Sequence, residues 1–329
     1  MNLPTPFNEN FSTTRWLTKK LPVLVKNPQD KFETVLFSPA CEGRQGEGGL
    51  RTQGYFKANL LNKPLITVVT VVFNGEAFLE ETIQSVIKQT YDNVEYIIID
   101  GGSTDGTLEI IRQYEHAIDY WISEKDSGMY DALAKGLQLA TGHVMAYINA
   151  GDYYHKCCFE IVYECFSKRD VNWLTGYSVL YNEKSQIYDY WLPGSYRRNL
   201  ITAGAYGRLL PHIQQESTFW SATLNRQIDL ITLSKYKLAG DSFIWSQFAL
   251  YEELQIVRAY LGGFKVHEGQ LSSSSNNYNT EVDRHRKKMA PLDFIYVLID
   301  KIVMLLNDGI KCRLNKRIIT FDLFEKKWK

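Results

Sequence analysis

Apolar residues change their rhythm several times along this chain, and each rhythm predicts an element. Leu65 to Phe73 (LITVVTVVF) is an unbroken β-branched run, the pattern of a parallel strand covered on both faces. Asn74-Gly75 ends it, and Phe78, Leu79, Ile83, Val86 and Ile87 then recur at helical spacing. Glu95 to Ile99 reads as a second strand, stopped by Asp100-Gly101-Gly102. Asp105 stands where it can cap a helix carrying Leu108, Ile111 and Tyr114. Tyr120 to Ser123 is a third strand. Gly128 to Ala140 is a helix with Met129, Leu133, Leu137 and Ala140 on one face. His143 to Ile148 is a fourth strand, followed by a turn at Asn149-Ala150-Gly151-Asp152. This β-α-β-α-β-α-β order over about 90 residues predicts a doubly wound α/β unit with a mainly parallel sheet.

The flanks are less regular. Prolines at positions 4, 6, 22, 28 and 39 and a glycine-rich stretch from Gly43 to Gly49 mark residues 1–61 as an extension with few regular elements. Residues 62–275 read as one domain, divided into a first half (62–152) and a second half (153–275). Residues 276–329 read as a basic helical extension. Within it, Leu292 to Leu306 is broken by Asp300 and Lys301 and falls short of the roughly 18 apolar residues of a membrane span. Asp293, Asp300 and Asn307 are seven apart and stack into one stripe. Arg284, Arg286, Lys287 and Lys288 precede this helix; Lys311, Arg313, Lys316 and Arg317 follow it. Two readings stand open: a helix packed on the body, or one lying in the interface of an anionic membrane.

Charge changes the picture further. Lys+Arg and Asp+Glu are 37 each, for a net charge of zero, which argues against a general nucleic-acid binder. The balance is uneven. Residues 281–329 hold 12 basic and 7 acidic side chains, a difference of +5, leaving 25 and 30 elsewhere, a difference of −5. Five cysteines are too few for a disulfide scaffold. Cys157, Cys158 and Cys165 match no zinc spacing and read as buried thiols of a reducing compartment. Met1 to Asn10 has no apolar run, so the expectation is a cytoplasmic protein, with a peripheral place on the inner face of the membrane if the helix lies there.

In a doubly wound sheet, ligands bind beyond the carboxyl ends of the strands. Here those ends read Asn74, Asp100, Glu124 to Asp126 and Asp152. Neither a Gly-x-Gly-x-x-Gly turn nor a P-loop follows the first strand. A rim of carboxylates meets a phosphate only through a cation that reverses the local sign. A divalent metal there would clamp a diphosphate as it leaves, so the chemistry points to a sugar nucleotide.

The block PLITVVTVVFNGEAFLEETIQSVIKQTYDNVEYIIIDGGSTDGT, followed by SEKDSGMYDALAKGLQLATGHVMAYINAGD, resembles the nucleotide-binding half of family-2 glycosyltransferases of the GT-A fold. That resemblance implies an inverting transfer from a nucleoside-diphosphate sugar, with Mg²⁺ or Mn²⁺, to a glycan or lipid-linked acceptor in surface polysaccharide synthesis. It implies that Asn74, Asp100, Asp126 and Gly128 line the donor pocket. The turn Asn149 to Asp152 corresponds to the family's Asp-x-Asp metal motif. The chain departs from that motif, keeping Asp152 where the family often also has Asp at the places of Asn149 and Gly151. PHIQQESTFW (Pro211 to Trp220) and LAGDSFIWSQFAL (Leu238 to Leu250) resemble acceptor-side elements. By that likeness Asp241 is the first choice for the general base and Glu216 the second. GGFKVHEGQLS resembles a further element, whose His267 is a candidate metal ligand facing Asp152. Two alternatives remain: a degenerate, non-catalytic nucleotide-sugar binder, and a sugar nucleotidyltransferase.

Overall fold

A computed structural model describes residues 11–24, 26–57, 60, 62–169, 171–266 and 275–329. The predicted strands are all present, within a residue or two of their expected ends. Eight strands form the central sheet. They are β1 (Gly46–Gly48), β2 (Ile66–Val72), β3 (Val94–Asp100), β4 (Tyr120–Ser123), β5 (Val144–Asn149), β7 (Trp173–Thr175), β10 (Phe219–Ser221) and β11 (Gln255–Ile256). Their order is β11-β7-β10-β5-β2-β3-β4-β1. The run β5-β2-β3-β4 is parallel throughout. Four further strands are β6 (Tyr153–Tyr154), β8 (Ser178–Tyr181), β9 (Ile187–Trp191) and β12 (Gly262–Lys265). They make a smaller sheet in the order β9-β8-β12-β6.

The β-branched runs are buried on both faces because each face has its own core. Val69, Val71, Ile97, Ile99, Ile122 and Tyr147 pack toward α3 (Met129–Leu139) and the second half of the chain. Ile66, Val68, Tyr96, Ile98, Ala146 and Ile148 pack toward α1 (Leu79–Ile87), α2 (Thr107–Gln113) and α4 (Cys158–Lys168). Strand order reverses between β3 and β5 around β2, which makes a topological switch point. In register, Val72 pairs with Asp100, Val71 with Asn149 and Asp100 with Ser123. That row brings the predicted rim residues to one edge of the sheet.

Three local expectations are corrected. The N-cap of α2 is Gly106, not Asp105; Asp105 sits one residue earlier and accepts from the Thr107 N–H at 3.1 Å. The segment before residue 62 is more regular than its prolines suggest. Its Gly46–Gly48 strand adds antiparallel to β4, and Leu17–Thr18 pairs with Phe56–Lys57. Two of its cations are buried ion partners of the core, with Arg51 2.7 Å from Glu95 and Lys57 3.3 Å from Asp119. No disulfide joins the five cysteines, and of the three near α4 only Cys158 and Cys165 are fully buried.

Candidate functional site

The rim beyond β2, β3 and β4 is tightly braced. Asn74 takes a left-handed conformation, φ 51°, and its N–H donates to the Ser103 hydroxyl at 2.7 Å. Its side-chain oxygen accepts from the Thr104 N–H at 2.9 Å. Asp100 is fully buried. It accepts from the Ser103 N–H at 3.1 Å, from the Ser103 hydroxyl, and from the Ser123 hydroxyl at 2.5 Å. Its partners are two serines: Ser103, just past the end of its own strand β3, and Ser123, the last residue of the neighbouring strand β4. Asp126 is half-buried and lies over Gly101, where a Cβ would come within 2.5 Å of its Oδ2. Its Oδ1 accepts from the Gly128 N–H at 2.7 Å. Burial pushes its carboxyl up, and Asp131 and Asp100 add to that. Gly128, at φ 121°, turns the chain into α3.

The other side of the rim gathers three carboxylates from distant parts of the sequence. Asp152 follows β5, Glu216 lies in a single 3-10 turn (Gln215–Ser217), and Asp241 sits in the first turn of α6 (Gly240–Phe248), which packs on α5 (Arg198–Thr202). Asp152 is buried; its Oδ1 accepts from the Lys265 N–H at 3.0 Å and its Oδ2 from the Gln215 amide at 3.2 Å. Burial pushes its carboxyl up to about 7. Glu216 is fully buried, and burial, then the charges of Asp152 and Asp241, hold it well above the usual carboxylate range. The Gln214 amide nitrogen lies 3.0 and 3.2 Å from its two oxygens. Asp241 is half-buried and also raised by burial, against the opposing charge of His212. Its Oδ1 accepts from the Ser242 N–H at 2.7 Å and the Tyr130 hydroxyl at 3.4 Å.

Four participants escaped the sequence reading. Tyr130 lies inside the Asp126 to Asp131 motif, and Gly240 leaves room for its ring: a Cβ there would come within 2.3 Å of Tyr130 Cδ1. Tyr147, on β5, feels the charges of all three carboxylates. Lys265 holds Asp152 through its backbone, and its ammonium pairs with Glu81. His212 lines a cleft with Asp241, Trp245 and Tyr278. Tyr130 and His212 both fall within segments singled out by sequence. Nothing local marked them, because tyrosine in a helix and histidine in a loop are ordinary. His267 lies outside the described residues.

A divalent metal can be tested against this donor set. Among the described residues no three His, Cys, Asp or Glu side chains gather as a metal cage. The side-chain oxygens of Asn149 and Gln215 are buried and find no partner among those residues. Both flank Asp152: Asn149 in its turn, Gln215 in direct contact. One carboxylate and two neutral amide oxygens suit a hard cation that takes its remaining ligands from phosphate and water.

A parallel switch-point sheet with acids beyond its strand ends belongs to the doubly wound α/β class, and the fold is of the GT-A kind. Residues 67–224 match the profile of glycosyl transferase family 2, so the chain carries a family-2 glycosyltransferase domain. It is 35% identical over 122 residues to the putative teichuronic acid biosynthesis glycosyltransferase TuaG of Bacillus subtilis, covering 36% of this chain and 48% of that protein. It is 26% identical over 249 residues to an uncharacterized glycosyltransferase of Haemophilus influenzae, covering 72% and 75%. Among solved structures, residues 1–349 of Staphylococcus aureus TarS superpose with a TM-score of 0.51 at 15% identity, covering 76% of this chain and 68% of that one. That likeness concerns the fold. The first of these matches spans about half of the relative's length.

Proposed function

We propose that this protein transfers a sugar, with inversion, from a nucleoside-diphosphate sugar to a hydroxyl of a glycan or lipid-linked acceptor in surface polysaccharide synthesis. The convergence of Asp152, Glu216 and Asp241 at the switch-point end of the sheet carries the reading. The name of the B. subtilis relative supports the polysaccharide context. TarS, solved in complex with UDP-GlcNAc, supports the donor class.

Asp241 and Glu216 have different parts. Inversion needs a base that takes the acceptor proton as the hydroxyl attacks. Asp241 borders the cleft and keeps contact with solvent. Its raised pKa brings it closer to the working pH, where base catalysis is most effective. Glu216, fully buried between two acids, is held protonated and serves as a hydrogen-bond donor. Asn74, Asp100, Asp126 and Gly128 shape the donor pocket. Asp100 does so as a brace between loops, and Asp126 is the carboxylate nearest a ribose or base. Asp152 with Asn149 and Gln215 would hold the metal, His267 being a further candidate. When bound, the metal neutralises the departing diphosphate.

The same placement supports the division into 62–152 for the donor and 153–275 for the acceptor. Residues 276–329 add the basic surface suited to an anionic membrane. Among the described residues no helix is long and apolar enough to cross one.

The deciding experiment mixes purified protein with UDP-, GDP- and dTDP-sugars, Mg²⁺ or Mn²⁺ and a pool of glycan and lipid-linked acceptors. Donor turnover that disappears in Asp241→Asn supports the proposal. Nucleotide binding without turnover on any acceptor supports the degenerate binder instead. Pyrophosphate release from a sugar phosphate and a nucleoside triphosphate supports the nucleotidyltransferase.

A further inference from the structure

The helix Pro291–Met304, here α7, is built inside out. Its acidic stripe faces the protein. Asp300 accepts from Arg197 at 3.1 Å, Ser195 at 3.1 Å and Tyr206 at 3.4 Å. Asp293 accepts from the Asn199 amide at 2.5 Å and the Ala290 N–H at 2.8 Å. Both carboxylates are buried, and the Arg197 guanidinium lies 4.7 Å over the Tyr296 ring. The opposite arc is apolar and open to solvent. Leu292, Phe294, Ile295, Leu298, Ile302 and Leu305 are each 52–87% exposed. On an ordinary surface helix the apolar stripe is the buried one. A contiguous exposed apolar face of this length marks an interaction surface.

The charge around it selects the partner. Lys287, Lys288, Lys301, Arg313 and Lys316 are exposed. Of the acidic side chains between residues 284 and 320, Asp293 and Asp300 are buried, and Asp308 is partly buried and accepts from the Tyr177 hydroxyl at 2.6 Å. An apolar face flanked mainly by cations matches the boundary of an anionic bilayer. A second copy would bring like charges face to face.

We infer that α7 lies in the headgroup boundary of a bilayer containing anionic lipid, with its carboxylate stripe clamped to Arg197 and Asn199 and its apolar arc in the acyl region. The clamp also orients the site. Asp300, Val303 and Met304 of α7 line a cleft with Trp191, Tyr196 and Tyr206. Tyr206 is shared with the cleft that contains Asp241. The acceptor side therefore opens beside the lipid, where a lipid-linked acceptor presents its sugar. This placement deepens the reading of residues 276–329 given above and is independent of the transfer chemistry.

The test is flotation of the full chain with phosphatidylcholine vesicles and with vesicles that also contain phosphatidylglycerol. The chain is expected to float with the anionic vesicles and to be released as salt is raised. The triple variant Ile295→Gln, Leu298→Gln, Ile302→Gln should bind more than about tenfold more weakly. Lys287→Gln and Lys288→Gln should each weaken binding about fivefold, on anionic vesicles alone. Turnover of soluble donor in these variants should match the unaltered chain, because the replaced side chains face solvent. Failure of the unaltered chain to float overturns the inference. So does equal flotation of the triple variant, or a dimer by light scattering that the triple variant abolishes. Vesicle binding in a protein without donor turnover would leave this inference standing and remove the transferase reading.

Discussion

Asp100 and Glu216 are both fully buried carboxylates at one end of one sheet, and their surroundings treat them in opposite ways. Asp100 is surrounded by donors, with both Ser103 and Ser123 turned to it. Glu216 has the Gln214 amide beside it, but burial, then the charges of Asp152 and Asp241, push its proton affinity up. A buried polar group is costly unless hydrogen bonds replace its lost water. The side of the site around Asp100 is therefore a stiff frame of local hydrogen bonds. The side around Glu216 is a group of buried acids raised by burial and, for Glu216, by each other's charge, the kind of arrangement found where catalytic pKa values are tuned.

The sharpest way to break this comparison is a pair of isosteric changes. Asp241→Asn should reduce kcat by about 10²–10⁴-fold, since it removes the proton acceptor. Glu216→Gln should stay within about tenfold of the original rate, because an amide resembles the protonated acid. Equal losses in steady-state assays would erase the distinction between the two residues.

Next comes the pH dependence of stability. The Asp152 carboxyl moves up to about 7 from 3.8 on folding. The native state thus holds a proton that the unfolded chain has released. Stability should fall as pH rises from about 4 to about 7, by roughly 1–4 kcal/mol, and no further above that. Asp152→Asn should flatten the slope in denaturant titrations. A slope that survives the substitution would assign the effect to other groups.

On the braced side, Ser123→Ala takes one donor from buried Asp100. It should cost about 1–3 kcal/mol in the unfolding free energy, with no new ionisation in the activity profile. The smallest effect belongs to Tyr130→Phe. Its hydroxyl reaches the Leu238 carbonyl at 3.2 Å and Asp241 at 3.4 Å. Losing such long bonds should lower kcat about threefold and leave the KM for donor unchanged. A raised donor KM would move Tyr130 to the other side of the comparison.

Legibility in the sequence followed the range of the forces. The strand Ile66–Val72 and the helix Met129–Leu139 were readable because their own side chains carry the period. Gly46–Gly48 was not, since three residues with two glycines carry no period. Its place is set by pairing with β4 and by the close approach of Gly46 and Gly48 to the Trp121 ring. The Ser123 partner of Asp100 was not readable because it belongs to another strand. The family motifs brought Asp152, Glu216 and Asp241 to attention one at a time, while their mutual charge coupling depends on three elements meeting.

The C-terminal helix shows where the division falls. The spacing of Asp293 and Asp300 by itself determined a helix with one polar stripe, because 3.6 residues per turn place positions seven apart on one line. It did not determine which way that stripe turns. Arg197 and Asn199, about a hundred residues earlier, pull the acids inward and leave the apolar arc facing out. Periodicity is a property of the chain, and orientation is decided by whatever partner satisfies a buried charge, which only the tertiary structure supplies.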